Sequence, residues 1–247
     1  MKPHTRFLII GAVLCALSAL AYTAHYFIFH EAHHIFIYLV GDIAFVPVEV
    51  FLVALVLERA LAHHEKKQIR QKLNMVIGTF FSELGTKLLG KLTPCIDNRD
   101  ELRECLAVKA QWKPAEFKRA LGEVRRFKYK ADVDKLDLHG LKDVLSDQRG
   151  LLLTLLANPN LLEHERFTNL LWAVFHLMEE LEARDSLDDM PGTDRLHVAG
   201  DVVRVYEHLT AEWLLYCQHL KKAYPYIFSI VVRTHPLQDT PNATVTA

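Results

Sequence analysis

The stretch IFIYLVGDIAFVPVEVFLVALVL, residues 35–57, decides the fold of this chain. As a helix, its 23 residues would be about 34 Å long, enough to cross a hydrocarbon core of about 30 Å. The run contains two acids, Asp42 and Glu49, and an acid near the centre of a spanning helix costs roughly 2.5–3.5 kcal/mol. The insertion free energy gained from the apolar side chains of the segment is roughly equal to the cost of the two acids. We therefore predict a transmembrane helix over residues 35–57 in which both acids need a polar partner.

The spacing of the two acids restricts what they can do together. Glu49 follows Asp42 by seven residues, and this step returns to nearly the same helix face about 10.5 Å further along the axis. At that separation the two carboxyl groups cannot share a proton or hold one metal ion between them. Pro47 lies between them and removes one backbone hydrogen bond, which leaves a carbonyl oxygen available beside the acids.

Residues 7–29 form a second apolar run, for which we predict another spanning helix. A cleaved signal peptide is the competing interpretation, because Ala19-Leu20-Ala21 is a passable cleavage site. The turn at residues 30–34 has no Lys or Arg, whereas basic residues flank the other ends of both runs. By the positive-inside rule, both chain termini are cytoplasmic. Residues 1–58 are thus predicted to form a transmembrane hairpin in a cytoplasmic (inner) membrane.

Antiparallel geometry predicts which polar side chains meet the acids. Counted at about 1.5 Å per residue from the outer ends, Tyr22 and Asp42 both lie about 10 Å deep, with His25 one turn shallower. Tyr22 and His25 are therefore the predicted partners of Asp42. Two roles stay open: the acids make hydrogen bonds between helices, or Asp42 and Glu49 line a proton or cation path in a homo-oligomer, since two helices cannot enclose a channel.

The turn His30-Glu31-Ala32-His33-His34 matches HExxH, a pattern of zinc metalloproteases. A metalloprotease also needs a third ligand and a cleft around a continuous helix, and here the pattern occupies a turn. A metalloprotease is therefore disfavoured. A metal ion bound by His30, His33 and His34, together with His25, or a response of these side chains to external pH, stays open beside a plain polar turn.

Beyond residue 58 the chain continues as a predicted amphipathic helix over residues 59–93. Its first part carries basic residues that should bind anionic lipid headgroups: Arg59, Lys66, Lys67 and Arg70. Further on, apolar residues recur at steps of three and four: Ile69, Leu73, Val76, Ile77, Phe80, Phe81, Leu84, Leu88 and Leu92. That apolar face must be covered, either by later helices of the same chain or by another subunit.

Three segments resemble a known family: LVGDIAFVPVEV (39–50), LNMVIGTFFSELGTKLL (73–89) and YPYIFSIVVRTHP (224–236). They are similar to an uncharacterised family of small prokaryotic membrane proteins that pair an N-terminal hairpin with a helical cytoplasmic domain. The resemblance covers most of the chain. It implies architecture only, and no activity, cofactor, partner or site residue comes with it.

Residues 94–235 show one helical pattern after another, so the fold class is predicted to be all-α, with a cytoplasmic helical bundle behind the hairpin. Helices are expected over residues 97–110, 114–127, 132–157, 160–184 and 193–222. The conformation of the apolar segment at residues 227–232 is undecided. Residues 236–247 are predicted to be a disordered tail.

One polar stripe of the last long helix also repeats at steps of three and four: Asp194, His197, Asp201, Arg204, His208 and Glu212. In isolation it could be a metal or proton-transfer site. Because it lies opposite Tyr206, we predict a solvated face with local ion pairs instead.

A metal site made of His176 with Glu179 or Glu180 is favoured even less than the stripe. No second helix is expected to supply the carboxylates that a di-iron bundle requires.

The composition narrows the function further. The formal net charge is −1, so nothing favours nucleic acid as a partner, and the four cysteines lack CxxC spacing. Nucleotide-binding, GxSxG and potassium-filter motifs are absent from the sequence. The favoured function is a non-enzymatic membrane anchor for a cytoplasmic domain that binds a protein partner or relays a signal. A homo-oligomer is expected and no cofactor is, apart from a metal ion at the outer histidine turn.

Overall fold

The computed structural model describes residues 3–238 and 241–244 of the chain, which divides into two units, Met1–Lys66 and Lys67–Ala247. The described residues form helices and no strand; Ile96 and Ala131 make one isolated antiparallel bridge. The all-α prediction is therefore confirmed. The α-helices are α1 (Pro3–Phe29), α2 (Ala32–Phe80), α3 (Thr86–Leu92), α4 (Arg103–Leu106), α5 (Pro114–Val124), α6 (Leu138–Asp147), α7 (Arg149–Leu156), α8 (Glu165–Glu182), α9 (Gly192–Ala223) and α10 (Pro225–Thr234).

The first unit consists of α1 and the first part of α2. The two helices are separated by His30, whose φ of 55° lies in the left-handed region, and by Glu31. Both helices are long and apolar enough to cross a membrane, and none of the residues in their most apolar windows is buried. Helix α2 continues through Pro47 to Phe80. It therefore contains both the helix predicted over residues 35–57 and most of the amphipathic helix predicted after it.

A π-helical turn, Phe81–Gly85, joins α2 to α3 within the second unit. Its wider hydrogen bond runs from the Thr86 N–H to the Phe81 carbonyl, five residues back. A Cβ atom on Gly85 would lie 2.7 Å from ring atoms of both Phe80 and Phe81. The turn therefore needs glycine at this position.

The core of the second unit is built around α9. Phe81 stacks on Tyr216 of α9 with ring centroids 4.7 Å apart and planes 11° from parallel, and Phe80 meets Phe167 of α8 edge to face. Helices α3, α5, α8 and α10 also pack on α9. The apolar face predicted from Leu73 onward is therefore covered by later helices of the same chain.

Several boundaries differ from the predicted ones for local reasons. The helix expected over residues 132–157 is two helices, α6 and α7, which meet at the non-helical Gln148. The helix expected from residue 97 is replaced by one 3-10 turn and the single turn of α4. Here the backbone pairs with another segment instead: the Asp97 N–H donates to the Lys130 carbonyl. The undecided segment at residues 227–232 is helical in α10, which starts at Pro225.

The predicted disordered tail begins as packed structure. Leu237 is buried, and the N–H of Asn242 donates to the carbonyl of Arg233 at 2.9 Å. These contacts hold the described part of the tail against α10, contrary to the prediction from its Thr, Pro and Asn content. Residues 239, 240 and 245–247 lie outside the described residues.

Candidate functional site

The two acids of the predicted membrane segment lack a polar partner among the described residues of the chain. Asp42 and Glu49 are both exposed on α2, and neither makes a hydrogen bond or ion pair with a described residue. Tyr22 is 39% exposed, and the His25 ring contacts Phe29 of its own helix with centroids 4.7 Å apart. Among the described residues, the structure thus does not join Tyr22 or His25 to Asp42.

The outer histidines are not gathered into a ligand group. His30 lies between the helices, and α2 includes His33 and His34, so the two outer histidines of the HExxH pattern do not share one helix. His34 Nδ1 lies 3.5 Å from Glu31 Oε2. Over the described residues, the clusters of metal-ligand side chains within reach of a single ion do not include these histidines.

The predicted lipid-contact residues lie on the continuous helix α2. Arg59 and Lys66 are exposed there. The side chains of Lys67 and Arg70, which belong to the same prediction, lie outside the described residues.

The second unit contains a cluster of metal-ligand side chains that the sequence analysis discounted. It combines His176 and Glu180 of α8 with His197 and Asp201 of α9. Each helix supplies one histidine and one acid four residues later, which places the pair on one face of that helix. Because α8 and α9 run antiparallel, His176 meets Asp201 and Glu180 meets His197.

Four nitrogen–oxygen distances define the geometry of this cluster. His176 Nε2 lies 3.7 Å from Glu180 Oε1 and 3.6 Å from Asp201 Oδ2. His197 Nε2 lies 3.5 Å from Glu180 Oε2 and 3.5 Å from Asp201 Oδ2. One ligand atom from each of the four residues lies within 4.8 Å of the other three. The distances exceed those of ordinary hydrogen bonds, about 2.7–3.2 Å.

Arginines hold the two carboxylates from their other side. Arg184 Nη1 donates to Glu180 Oε2 at 2.8 Å, and its Nε and Nη2 bind both oxygens of Asp194 at 2.9 and 2.7 Å. Arg204 Nη1 donates to Asp201 Oδ1 at 2.6 Å. Arg184 holds the pKa values of the Glu180 and Asp194 carboxyls below their usual range. The Glu180 and Asp194 carboxylates are therefore ionised and oriented at neutral pH.

One oxygen of Asp201 accepts no hydrogen bond. The Asp201 side chain is 3% exposed, and its Oδ2, which faces both histidines, is buried without a hydrogen bond. A buried polar atom without a partner costs roughly 1–3 kcal/mol, and more if it is charged. The prediction that Asp201 belongs to a solvated face is therefore wrong.

Glu212, the last residue of the polar stripe, is also buried. It is 2% exposed, its Oε1 accepts no hydrogen bond, and the nearest cation, Arg166 Nε, lies 4.0 Å away. Burial raises the pKa of the Glu212 carboxyl to about 7, while Arg166 and Arg125 act in the opposite direction. Glu212 lines a small cavity together with His164 and His219.

The sequence contained a signal for the cluster. The i,i+4 pairs His176/Glu180 and His197/Asp201 occupy consecutive helices joined by a short loop, and such helices are usually antiparallel neighbours. The burial of Asp201 and Glu212 had no comparable signal. It follows from packing on several sides of α9, where every residue from Leu209 to Leu214 is buried.

Comparison with known proteins places these helices in one family. Residues 69–233 match the family model described as "Uncharacterized protein MJ1433, C-terminal helical domain", and residues 2–61 match "MJ1433, N-terminal helical domain". The chain belongs to the MJ1433 family. It is 40% identical over 239 residues to "Uncharacterized protein MJ1433" of Methanocaldococcus jannaschii, covering 97% of this chain and 96% of that relative. No solved structure matches the chain.

The MJ1433 family models divide the chain where the structure does. They separate between residues 61 and 69, and the two structural units meet at Lys66 and Lys67. The His/acid cluster and Glu212 therefore both lie in the C-terminal helical domain of the family. The resemblance to an uncharacterised helical family is confirmed, whereas its placement in a membrane stays a prediction.

Proposed function

We propose that this protein is a non-enzymatic integral membrane protein of a prokaryotic cytoplasmic membrane. In this proposal α1 and the apolar part of α2 span the bilayer, and the helical domain, Lys67–Ala247, binds its partner or relays a signal in the cytoplasm. The observation that carries the proposal is the exposure of apolar side chains on both helices: Leu17, Phe27, Phe36 and Val56 are 59–68% exposed. Soluble proteins rarely expose contiguous apolar patches larger than a few hundred Å².

Charge distribution supports the orientation. Arg59, Lys66, Lys67 and Arg70 follow the apolar part of α2, and the outer turn has neither Lys nor Arg. Near a cytoplasmic leaflet, each such cation adds about 1 kcal/mol of attraction to anionic lipid headgroups. The basic segment would thus bind lipid and set the direction of insertion.

Thiol labelling tests the anchor and its orientation. In intact cells, a membrane-impermeant maleimide should label a His33→Cys variant, because the turn faces outward. The parent chain should not be labelled in intact cells, because its cysteines lie in the proposed span, Cys15, or in the helical domain, Cys95, Cys105 and Cys217. The chain should also stay in carbonate-washed membranes with an intact mass beginning at residue 1. A soluble chain, or a His33→Cys variant protected in intact cells, would refute the proposal.

Two substitutions at Val53 test whether residues 35–57 span the membrane. Because the apolar residues of the second span offset Asp42 and Glu49 only narrowly, adding one more acid in Val53→Asp should cost roughly 2–3 kcal/mol of insertion free energy and abolish outside labelling of His33→Cys. Val53→Leu at the same position should leave labelling unchanged. Equal labelling of the two variants would contradict a span at residues 35–57.

A homo-oligomer with an ion path is the second candidate function, and the exposure of Asp42 and Glu49 favours it. Both acids lie on one helix face without a partner in the part of the chain that the structure describes, and acids in hydrocarbon almost always face protein or water. A second copy of the hairpin would cover them. The chain should then purify as an oligomer, and its proton or cation flux in liposomes should be lost in Asp42→Asn and Glu49→Gln variants. A monomer, or an oligomer without flux, would rule out conduction.

A further inference from the structure

We propose that the helical domain binds one divalent first-row transition-metal ion between α8 and α9, through His176, Glu180, His197 and Asp201. Two histidines and two carboxylates form a donor set suited to Zn²⁺ and to neighbouring ions such as Co²⁺. The inference gives the domain a ligand and does not depend on whether α1 and α2 cross a membrane.

Three of the distances are close to the edges of a coordination tetrahedron. Metal bonds of about 2.0–2.2 Å separate adjacent ligand atoms in a tetrahedron by roughly 3.3–3.6 Å. With Glu180 Oε1 and Asp201 Oδ2 as the oxygen ligands, His176 Nε2 lies 3.7 and 3.6 Å from them, and His197 Nε2 lies 3.5 Å from Asp201 Oδ2. These distances are too long for direct hydrogen bonds and close to the separation of ligands around one ion.

Asp201 provides the independent indication that a ligand belongs here. Its side chain is 3% exposed, Arg204 binds Oδ1, and Oδ2, which accepts no hydrogen bond, points between the two histidine nitrogens. A metal ion at the centre of the cluster would bind this oxygen directly. It would also convert an unfavourable buried oxygen into a coordinating one.

The surrounding residues restrict how the carboxylates bind. Arg184 and Arg204 each take one carboxylate oxygen, so Glu180 and Asp201 would each offer a single oxygen to the ion. Such outer contacts orient ligands and raise affinity in known metal sites. The histidine side chains are 45% and 54% exposed, which gives an ion access from solvent.

Zn²⁺ titration of the purified full chain in detergent tests the site. The chain should carry no histidine tag and should first be stripped with a chelator. We expect one Zn²⁺ per chain, weakened by more than about 100-fold in His197→Ala and in Asp201→Asn. His208→Ala is the matched control, a half-buried histidine three turns further along α9 and outside the cluster. It should bind like the parent.

One further variant and one further measurement identify the residues that bind the ion. A triple variant, His30→Ala, His33→Ala and His34→Ala, should keep the bound ion, because the outer turn does not supply the ligands. Excess Zn²⁺ should raise the Tm of the parent but not of His197→Ala, a difference that loss of an ion pair alone would not produce. If Asp201→Asn fails to fold, the half-exposed His197 and His176 carry the test.

The proposal is overturned if His197→Ala binds Zn²⁺ as tightly as the parent, if the triple outer-turn variant loses the ion, or if the stripped parent does not bind Zn²⁺. None of these outcomes bears on membrane labelling of His33→Cys. Failure of the metal site and failure of the membrane anchor are therefore distinguished by separate measurements.

Discussion

Replacing Phe81 by alanine is expected to lower the free energy of unfolding of the helical domain by about 3–5 kcal/mol. The Phe81 ring is fully buried and contacts three aromatic residues: Phe80, Trp213 and Tyr216. Truncation would remove the stacked contact with Tyr216 and leave a cavity where α9 meets the π-helical turn. Rigid packing around that turn leaves little room for the cavity to collapse.

The measurement is chemical unfolding of the full chain in detergent, followed by circular dichroism. Met75→Ala is the control, because Met75 lies on α2 shortly before the π-helical turn, is 64% exposed and should change stability by less than about 0.5 kcal/mol. Equal losses in the two variants would show that the aromatic cluster does not stabilise the junction of α2 and α9.

Replacing Glu212 by glutamine should make domain stability less sensitive to pH. The pKa of Glu212 is about 7 in the folded chain and 4.5 as its ordinary value. The folded state therefore binds a proton that the unfolded state has released. The resulting stabilisation is fully present below pH 4.5 and is lost as pH rises through 7. The shift corresponds to about 3 kcal/mol.

The parent should lose stability relative to Glu212→Gln as the pH rises. Raising the pH from 5 to 8 should destabilise the parent relative to Glu212→Gln by about 3 kcal/mol, since glutamine carries no charge at either pH. His164 and His219 line the same cavity, and burial lowers both of their pKa values, so they supply little positive charge near pH 7.

Unfolding curves of both chains at the two pH values provide the measurement. Glu83→Gln changes an exposed carboxylate to the same amide and should alter stability by less than about 0.5 kcal/mol at either pH. A parent and a Glu212→Gln variant that respond identically to pH would show that Glu212 is charged and well solvated in the folded chain.

Helical periodicity was sufficient to predict the fold class and the apolar face of α2 and α3. It failed where a competing local interaction decided the structure. The backbone pairing at Asp97 replaced a predicted helix, and the break at Gln148 divided another. Both effects depend on contacts between distant or non-helical backbone groups, which a one-dimensional pattern does not contain.

The candidate metal cluster illustrates a different limit. Its four residue types and their i,i+4 spacings are visible in the sequence. The prediction of a solvated face for His197 and Asp201 assumes that α9 has one buried side, and His176 and Glu180 are discounted because no second helix is expected to supply carboxylates. Asp201 and Glu212 are buried because neighbouring helices pack on several sides of α9. Burial of a polar residue in such a central helix follows from tertiary packing alone.

The π-helical turn at Phe81–Gly85 has a consequence for how this protein can change length. A π-helical turn contains about one residue more than an α-helical turn, so loss of a single residue there would restore ordinary helix and leave the following residues near their original faces. Loss of a residue from the regular helix before the turn would instead rotate the following residues by about 100° and remove Leu88, Leu89 and Leu92, all completely buried, from the core. Single-residue deletions in descendants of this chain are therefore expected at the π-helical turn and selected against in the regular helix before it.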